Sequence, residues 1–137
     1  MKSHPAGYRE VEHTADWELE VWAPDLPALL EQAARGMYAL SGVTLRQGEP
    51  VEQELFMEAA DAESLMVAFL SELLFLTEAE NMAFEAYYID LDGYALHARL
   101  KGGKVEQQSK EIKAVTYHRL EIRSEGGGLR VNVVFDV

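Results

Sequence analysis

Apolar and polar residues alternate in the N-terminal part of the chain, and this spacing predicts a β-strand. Within residues 17–23, every second position is apolar: Leu19, Val21 and Ala23. The residues between them are two glutamates and a tryptophan, which would occupy the opposite side of the strand. A second strand with weaker alternation is predicted at residues 51–58.

A helical repeat of apolar residues follows the first strand. Asp25 and Pro27 form a typical helix start, and Gly42 is a typical helix stop. Between them, apolar residues recur at helical spacing: Leu26, Leu29, Leu30, Ala33, Met37 and Leu40. We therefore predict a first amphipathic helix that ends before Gly42.

The start of a second helix is indicated by Asp61, with Glu63 in the first turn, where a negative charge complements the helix dipole. The following residues 65–76 are apolar on nearly every side, which is typical of a buried helix or of a partner-binding surface. The run is shorter than the roughly 20 residues needed to span a bilayer. We predict that it belongs to the core.

The second half of the chain has the composition of strands. Residues 84–91 and 94–100 are joined by Asp92-Gly93, a strong hairpin signal, and Gly102-Gly103 is expected to end that hairpin. A polar loop at residues 104–110 would follow.

A further strand is predicted within residues 111–123, followed by a turn at residues 124–128 and a closing strand from Leu129. Two hairpins in succession imply antiparallel pairing. The predicted fold class is α+β, a largely antiparallel sheet with two amphipathic helices packed on one face, formed by residues 1–137 as a single domain.

Composition narrows the classes of function. The 137 residues include 24 acidic and 12 basic ones, so the formal net charge is −12. Such a charge disfavours tight binding to nucleic acid and suits a cation or a basic protein surface. There is no cysteine, and the N-terminus lacks an apolar run of the signal-peptide type, so we expect a cytoplasmic protein without membrane attachment.

The chain lacks the motifs of a nucleophilic enzyme and of a phosphate-binding loop. Its four histidines do not show the spacing of zinc ligands, and a histidine paired within the sheet is the simpler interpretation of His97 and of His118. After these exclusions, the remaining candidate chemistry is cation binding by carboxylates. Asp16, Asp136 and the α-carboxylate of Val137 would together provide three hard oxygen donors, which favour Ca²⁺, Mg²⁺ or Mn²⁺.

Each of these carboxylates also has a simpler interpretation. Asp136 could be a solvated residue at the end of the last strand, and Asp16 could be a turn or capping residue after Thr14. The sequence alone leaves both alternatives open.

Four segments together resemble the archease family over nearly the whole chain. They are His13-Thr14-Ala15-Asp16, Glu72-Leu73-Leu74-Phe75-Leu76, Glu111-Ile112-Lys113-Ala114-Val115-Thr116-Tyr117-His118 and Val134-Phe135-Asp136-Val137. Two departures accompany the resemblance. Residues 102–110 look shorter than the corresponding loop of the family, and Trp17 replaces a smaller aliphatic residue.

The resemblance implies an archease-like fold and an accessory function rather than an enzymatic one. Archeases assist the RtcB-type RNA ligase in tRNA splicing and RNA repair by promoting guanylation of the ligase's active-site histidine and multiple turnover. The family's metal site corresponds to Asp16, Asp136 and Val137. Ca²⁺ is the expected ion, with Mg²⁺ and Mn²⁺ as alternatives.

Two other functions remain as alternatives. One is a chaperone-like modulator of a tRNA cytosine methyltransferase, which would use the apolar second helix for docking. The other is a stand-alone metal-dependent hydrolase, for which His13 is the candidate base. Lys113 and Tyr117, expected on one strand, could contact the partner or phosphates, or could be ordinary sheet residues.

Overall fold

The computed structural model describes residues 5–12 and 17–137, which contain nine strands and two helices. In chain order the elements are β1 (Gly7–Val11), β2 (Trp17–Ala23), α1 (Leu26–Ser41), β3 (Thr44–Leu45), β4 (Val51–Glu58), α2 (Ala62–Glu80), β5 (Met82–Asp92), β6 (Ala95–Gln107), β7 (Ala114–Val115), β8 (Arg123–Glu125) and β9 (Gly128–Asp136). Three predicted elements, namely β2, β4 and the first helix, have the bounds that the sequence indicated.

The strands form two antiparallel sheets. The terminal sheet has the order β1-β2-β9-β7, with β8 also paired to β9. The hairpin sheet has β6 at its centre, paired with β5 along one side and with β4 and β3 along the other. The predicted α+β class with antiparallel pairing is confirmed, although the strands divide into two sheets.

Helix α1 begins and ends where its capping residues predict. The Asp25 carboxylate accepts a hydrogen bond from the Ala28 N–H at 3.0 Å, and Gly42 adopts the left-handed conformation with φ of 67°. Its buried apolar face packs on β1, β2 and β9 and also contacts β5. A helix that contacts both sheets fixes their relative position.

Helix α2 starts at an equivalent cap, where the Asp61 carboxylate accepts from the Ser64 N–H at 2.7 Å. Its apolar residues are buried against strands of both sheets, as the uniform apolar run predicted: Leu65, Met66, Val67, Phe69, Leu70, Leu73 and Leu76. Phe75 is an exception, with 57% of its surface exposed. Within the described residues, neither helix has the length and hydropathy needed to cross a membrane.

The predicted end of the hairpin at Gly102-Gly103 is wrong, because β6 continues through both glycines to Gln107. Of the two glycines, Gly102 is required because a side chain has no space there. A Cβ added to Gly102 would lie 1.9 Å from the carbonyl oxygen of Ala83, next to the point where the register of β5 shifts between Phe84 and Ala86. Gly102 therefore permits a close approach of two backbones, and much of the predicted polar loop is strand.

The single strand predicted within residues 111–123 is also wrong. Only Ala114–Val115 and Arg123–Glu125 pair with β9, and the intervening residues form a loop. Both the backbone N–H and the hydroxyl of Thr116 donate to the Val134 carbonyl, at 3.0 and 2.9 Å, which extends the contact of β7 with β9 by one residue. The loop is tied to α2 by the Ile122 N–H, which donates to the Glu63 carboxylate at 2.9 Å.

Candidate functional site

The end of β9 is held in place by its neighbours. Phe135 is paired with Trp17 of β2, and Asp136 is paired with Ala114 of β7. The Lys113 N–H donates to the Asp136 carbonyl at 2.8 Å. Val137 is half-buried and packs against the core, whereas Asp136 is exposed. The predicted ligand Asp136 thus lies at a fixed, solvent-accessible strand end rather than in a loose tail.

Two predicted site residues, Asp16 and His13, lie outside the described residues. Across residues 5–12 and 17–137, no group of three or more His, Cys, Asp or Glu side chains is placed to hold a metal ion. The site formed by Asp16, Asp136 and Val137 therefore stays a prediction. Trp17, the residue after Asp16 in the chain, lies opposite the residue before Asp136.

Lys113 and Tyr117 do not share a strand, contrary to the prediction. They flank the short strand β7, one on each side, and both side chains are exposed. His118 is not a strand residue either; its N–H donates to the Thr116 hydroxyl at 3.2 Å in the loop. The residues predicted to form one strand are divided, because β7 and β8 pair with different parts of β9 and a loop connects them.

His97 does lie in a strand and is satisfied within the sheet, as predicted. Its Nε2 is 2.5 Å from the Glu54 carboxylate, and its ring stacks on Phe56 with centroids 4.4 Å apart. This histidine has a structural explanation and needs no ligand.

A polar cleft on the outer face of the terminal sheet was missed by the sequence reasoning. Its cavity of about 290 Å³ is lined by Glu18, His118, Arg119, Arg123, Asn132 and Val134. Glu18 is only 7% exposed, although it lies on the face opposite the apolar residues of β2. Its carboxylate accepts from the Asn132 amide at 2.7 Å and lies 3.5 Å from the Arg119 guanidinium.

A second charged group extends along the same face. Glu20 contacts Arg9 of β1 and Arg130 of β9, with 3.1 Å between the Arg130 Nη1 and the Glu20 Oε2. The hydrogen bond from Arg9 lowers the pKa of Glu20, and the charges of both arginines add to this effect against the opposing effect of burial. Alternation placed the glutamates on this face, but their partners come from distant strands and leave no local signal.

Comparison with known proteins matches residues 8–137 to the Archease protein family. The chain is 32% identical to protein archease of Methanosarcina barkeri and 33% identical to that of Methanosarcina mazei, each over the full length of both chains. It is 31% identical to protein archease of Archaeoglobus fulgidus, with 95% of this chain and 98% of that protein covered.

Two solved structures have the same fold. The solution structure of Methanobacterium thermoautotrophicum protein 1598 is 27% identical, with a TM-score of 0.71 over 96% of this chain and 99% of that one. The crystal structure of a Thermotoga maritima archease, described as a possible chaperone, is 28% identical, with a TM-score of 0.68 over 94% of this chain and 96% of that one. The chain therefore belongs to the archease family.

Proposed function

We propose that this protein is an accessory factor that activates an RtcB-type RNA ligase in tRNA splicing and RNA repair. It would promote guanylation of the ligase's active-site histidine and allow multiple turnover, without catalysing a reaction itself. Its membership of the archease family supports this function, because the family match spans residues 8–137.

The observation that carries the proposal is the fixed strand end with an exposed carboxylate. β9 is paired with β2 on one side and with β7 and β8 on the other, so its backbone is constrained along its length. The Lys113 N–H fixes the Asp136 carbonyl as well. A carboxylate in this position can be presented to a partner at little cost in conformational entropy.

A divalent cation would be held by Asp16, Asp136 and the α-carboxylate of Val137. All the donors are hard oxygens, which suits Ca²⁺ first and Mg²⁺ or Mn²⁺ as alternatives. Asp16 directly precedes Trp17 in the chain, and consecutive α-carbons are about 3.8 Å apart. Trp17 is paired with Phe135, which directly precedes Asp136. When bound, the cation would supply positive charge at this end of the protein.

The surroundings of the strand end suit a protein partner. The net charge of −12 favours association with a basic protein such as an RNA-binding enzyme. Lys113 and Tyr117 are exposed on either side of β7, where they can contact that partner. We include His13 in this proposal because it lies three residues before Asp16 in the sequence.

The test is multiple-turnover RNA ligation by the RtcB-type ligase with and without this protein. Asp136→Asn should lower the stimulation at least tenfold, because it removes a charged ligand while keeping the size of the side chain. Asp92→Asn, at an exposed position of the β5–β6 turn, is the matched control and should stimulate like the wild type. Full stimulation by Asp136→Asn would reject the proposed mechanism.

The role of Val137 can be tested separately by calorimetric titration of Ca²⁺. Extending the chain by two glycines converts the α-carboxylate of Val137 into a neutral peptide group. We expect weaker binding with an unchanged unfolding temperature in the absence of metal. Equal affinities of the native and extended proteins would remove Val137 from the site.

The alternative function, chaperone-like modulation of a tRNA methyltransferase, was expected to use the apolar second helix. The burial of that helix argues against such docking, since seven of its apolar side chains are in the core. Phe75 is the one residue of residues 65–76 with a large exposed apolar surface.

A further inference from the structure

The polar cleft on the outer face of the terminal sheet contains more hydrogen-bond donors than its own residues use. In the described part of the chain, the polar contacts of Arg119 and Arg123 are one each. Arg119 Nη2 is 3.5 Å from a Glu18 oxygen, and Arg123 Nη2 is 3.5 Å from the Asn132 side-chain oxygen. Both contacts are long, and each guanidinium has five N–H donors.

Among the described residues, the Glu18 carboxylate engages one of these donors, through the long contact with Arg119. One oxygen of Glu18 accepts from the Asn132 amide at 2.7 Å, which is the short bond of the network, and only the other oxygen approaches Arg119. Among the described residues, the cleft is therefore lined by two guanidinium groups, one carboxylate and the His118 ring. In a protein of net charge −12, this is a local concentration of positive charge.

The backbone of Arg119 gives an independent indication that the position is special. Its φ is 51°, in the left-handed region that glycine and asparagine occupy most easily. The turn is closed by the Leu120 N–H, which donates to the Tyr117 carbonyl at 3.1 Å. A residue held in this conformation costs stability, and such residues are concentrated at binding sites. The arginine side chain is 64% exposed and can be reached by a ligand.

We propose that this cleft binds the phosphate group of a phosphomonoester through Arg119 and Arg123. The guanidinium fork matches two oxygens of a phosphate, which makes arginine the usual residue for this ligand. The cavity of about 290 Å³ accommodates the phosphate together with part of the group esterified to it.

The position of the cleft relates it to the strand end. Val134 lines the cleft and is two residues before Asp136 in β9, so the two side chains lie on the same side of the strand. A bound phosphate would therefore lie on the side of the terminal sheet that carries the Asp136 carboxylate. The inference goes beyond the proposed ligase activation and does not depend on it, because it concerns binding by this protein alone.

The test is a titration followed by NMR of backbone amides and arginine Nε–Hε groups, at pH 7 and low salt, without ligase or added metal. The probes are inorganic phosphate, a nucleoside monophosphate and the same nucleoside without phosphate. We expect saturable shifts at Arg119 and Arg123 with the two phosphates and none with the nucleoside. Tighter binding of the nucleotide would identify the source as a nucleotide, and equal affinities would identify the phosphate group alone as the ligand.

Arg119→Gly and Arg123→Gln should each weaken phosphate binding at least tenfold. Glycine suits the left-handed position, so Arg119→Gly removes the guanidinium without threatening the fold. The matched control is Arg99→Gln, since Arg99 lies over the Tyr88 ring on the hairpin sheet, away from the cleft. Absence of saturable binding to wild type, or equal affinities of wild type and Arg119→Gly, would overturn the proposal, as would an equal loss in Arg99→Gln.

Discussion

The two sheets differ in how far the side chains on their outer faces are exposed to solvent. On the hairpin sheet the outer side chains are open to solvent; Phe56 and Tyr88 are 71% and 63% exposed, beside carboxylates such as Glu54. On the terminal sheet Glu18 is buried at 7% exposure within a hydrogen-bonded network. The hairpin sheet pairs β6 with the adjacent β5 and with the more distant β3 and β4, whereas β2 and β9 join opposite ends of the described chain.

This difference indicates which interactions stabilise each sheet and on which sheet the proposed ligands would bind. The hairpin sheet depends on backbone fit, since Gly102 brings β5 and β6 into close approach. The terminal sheet contains polar side chains that are partly removed from water and must be satisfied by distant partners. Both ligand sites that we propose, the strand end with Asp136 and the polar cleft, therefore lie on the terminal sheet.

The largest expected effect is on the hairpin sheet. Gly102→Ala should lower the free energy of unfolding by about 3 kcal/mol or more, because the new Cβ would meet the Ala83 carbonyl oxygen at 1.9 Å and the backbones must separate. Gly103→Ala is the matched control, since its Cβ would have ordinary contacts from 3.7 Å outwards. Urea unfolding of both variants measures the difference; equal stabilities would show that β5 and β6 can separate freely.

The next effect is on the terminal sheet. Glu18→Ala should cost about 1–3 kcal/mol of unfolding free energy, because it leaves the amide of Asn132 without its short hydrogen bond. Glu54→Ala on the hairpin sheet should change stability by about 0.5 kcal/mol or less, since its carboxylate is mostly exposed. If the two variants were equally stable by urea unfolding, the distinction between the two outer faces would fail.

A smaller effect, with opposite sign, is expected in the loop of the terminal sheet. Arg119→Gly should raise the unfolding free energy by up to about 1 kcal/mol, since relief of the left-handed strain exceeds the entropy cost of glycine and the loss of a 3.5 Å contact. Arg123→Gly, in strand β8, should instead lower it by about 0.5–1 kcal/mol. Thermal unfolding of the two variants would contradict this explanation if both lost stability equally.

The smallest effect concerns pH. The pKa of Glu20 is lowered from 4.5 mainly by the Arg9 hydrogen bond, so its contribution to stability is complete above pH 4.5 and is lost as the pH falls through the folded pKa. The gap in unfolding free energy between wild type and Glu20→Gln should be about 1 kcal/mol or less at pH 7 and should shrink on acidification. A gap independent of pH between 7 and 3 would show that Glu20 does not act through its charge.

Local signals in the sequence predicted the parts of the fold that local interactions determine. Asp25 and Gly42 fix the ends of α1 through hydrogen bonds and a left-handed residue within a few positions. Asp92-Gly93 likewise sets the hairpin of β5 and β6. These elements follow from residues that are close in sequence, so a single sequence is sufficient to recognise them.

Other features could not be predicted because their causes are distant in the chain. Gly102 has the appearance of a strand end, and only the neighbouring Ala83 backbone explains it. The polar cleft depends on Glu18 and Asn132, which are 114 residues apart. Of the proposed metal ligands, Asp136 has a described and fixed position, whereas Asp16 lies outside the described residues and its role stays a prediction.

The central place of β9 in the terminal sheet has a consequence for synthesis on the ribosome. Of the described strands, β9 is the last in chain order, yet it covers the edge of β2 and pairs with β7 and β8. Until β9 emerges, the nascent chain exposes an unpaired strand edge, a hazard for aggregation. The strand end with Asp136 and the cleft beside it therefore form together, when β9 pairs with β2.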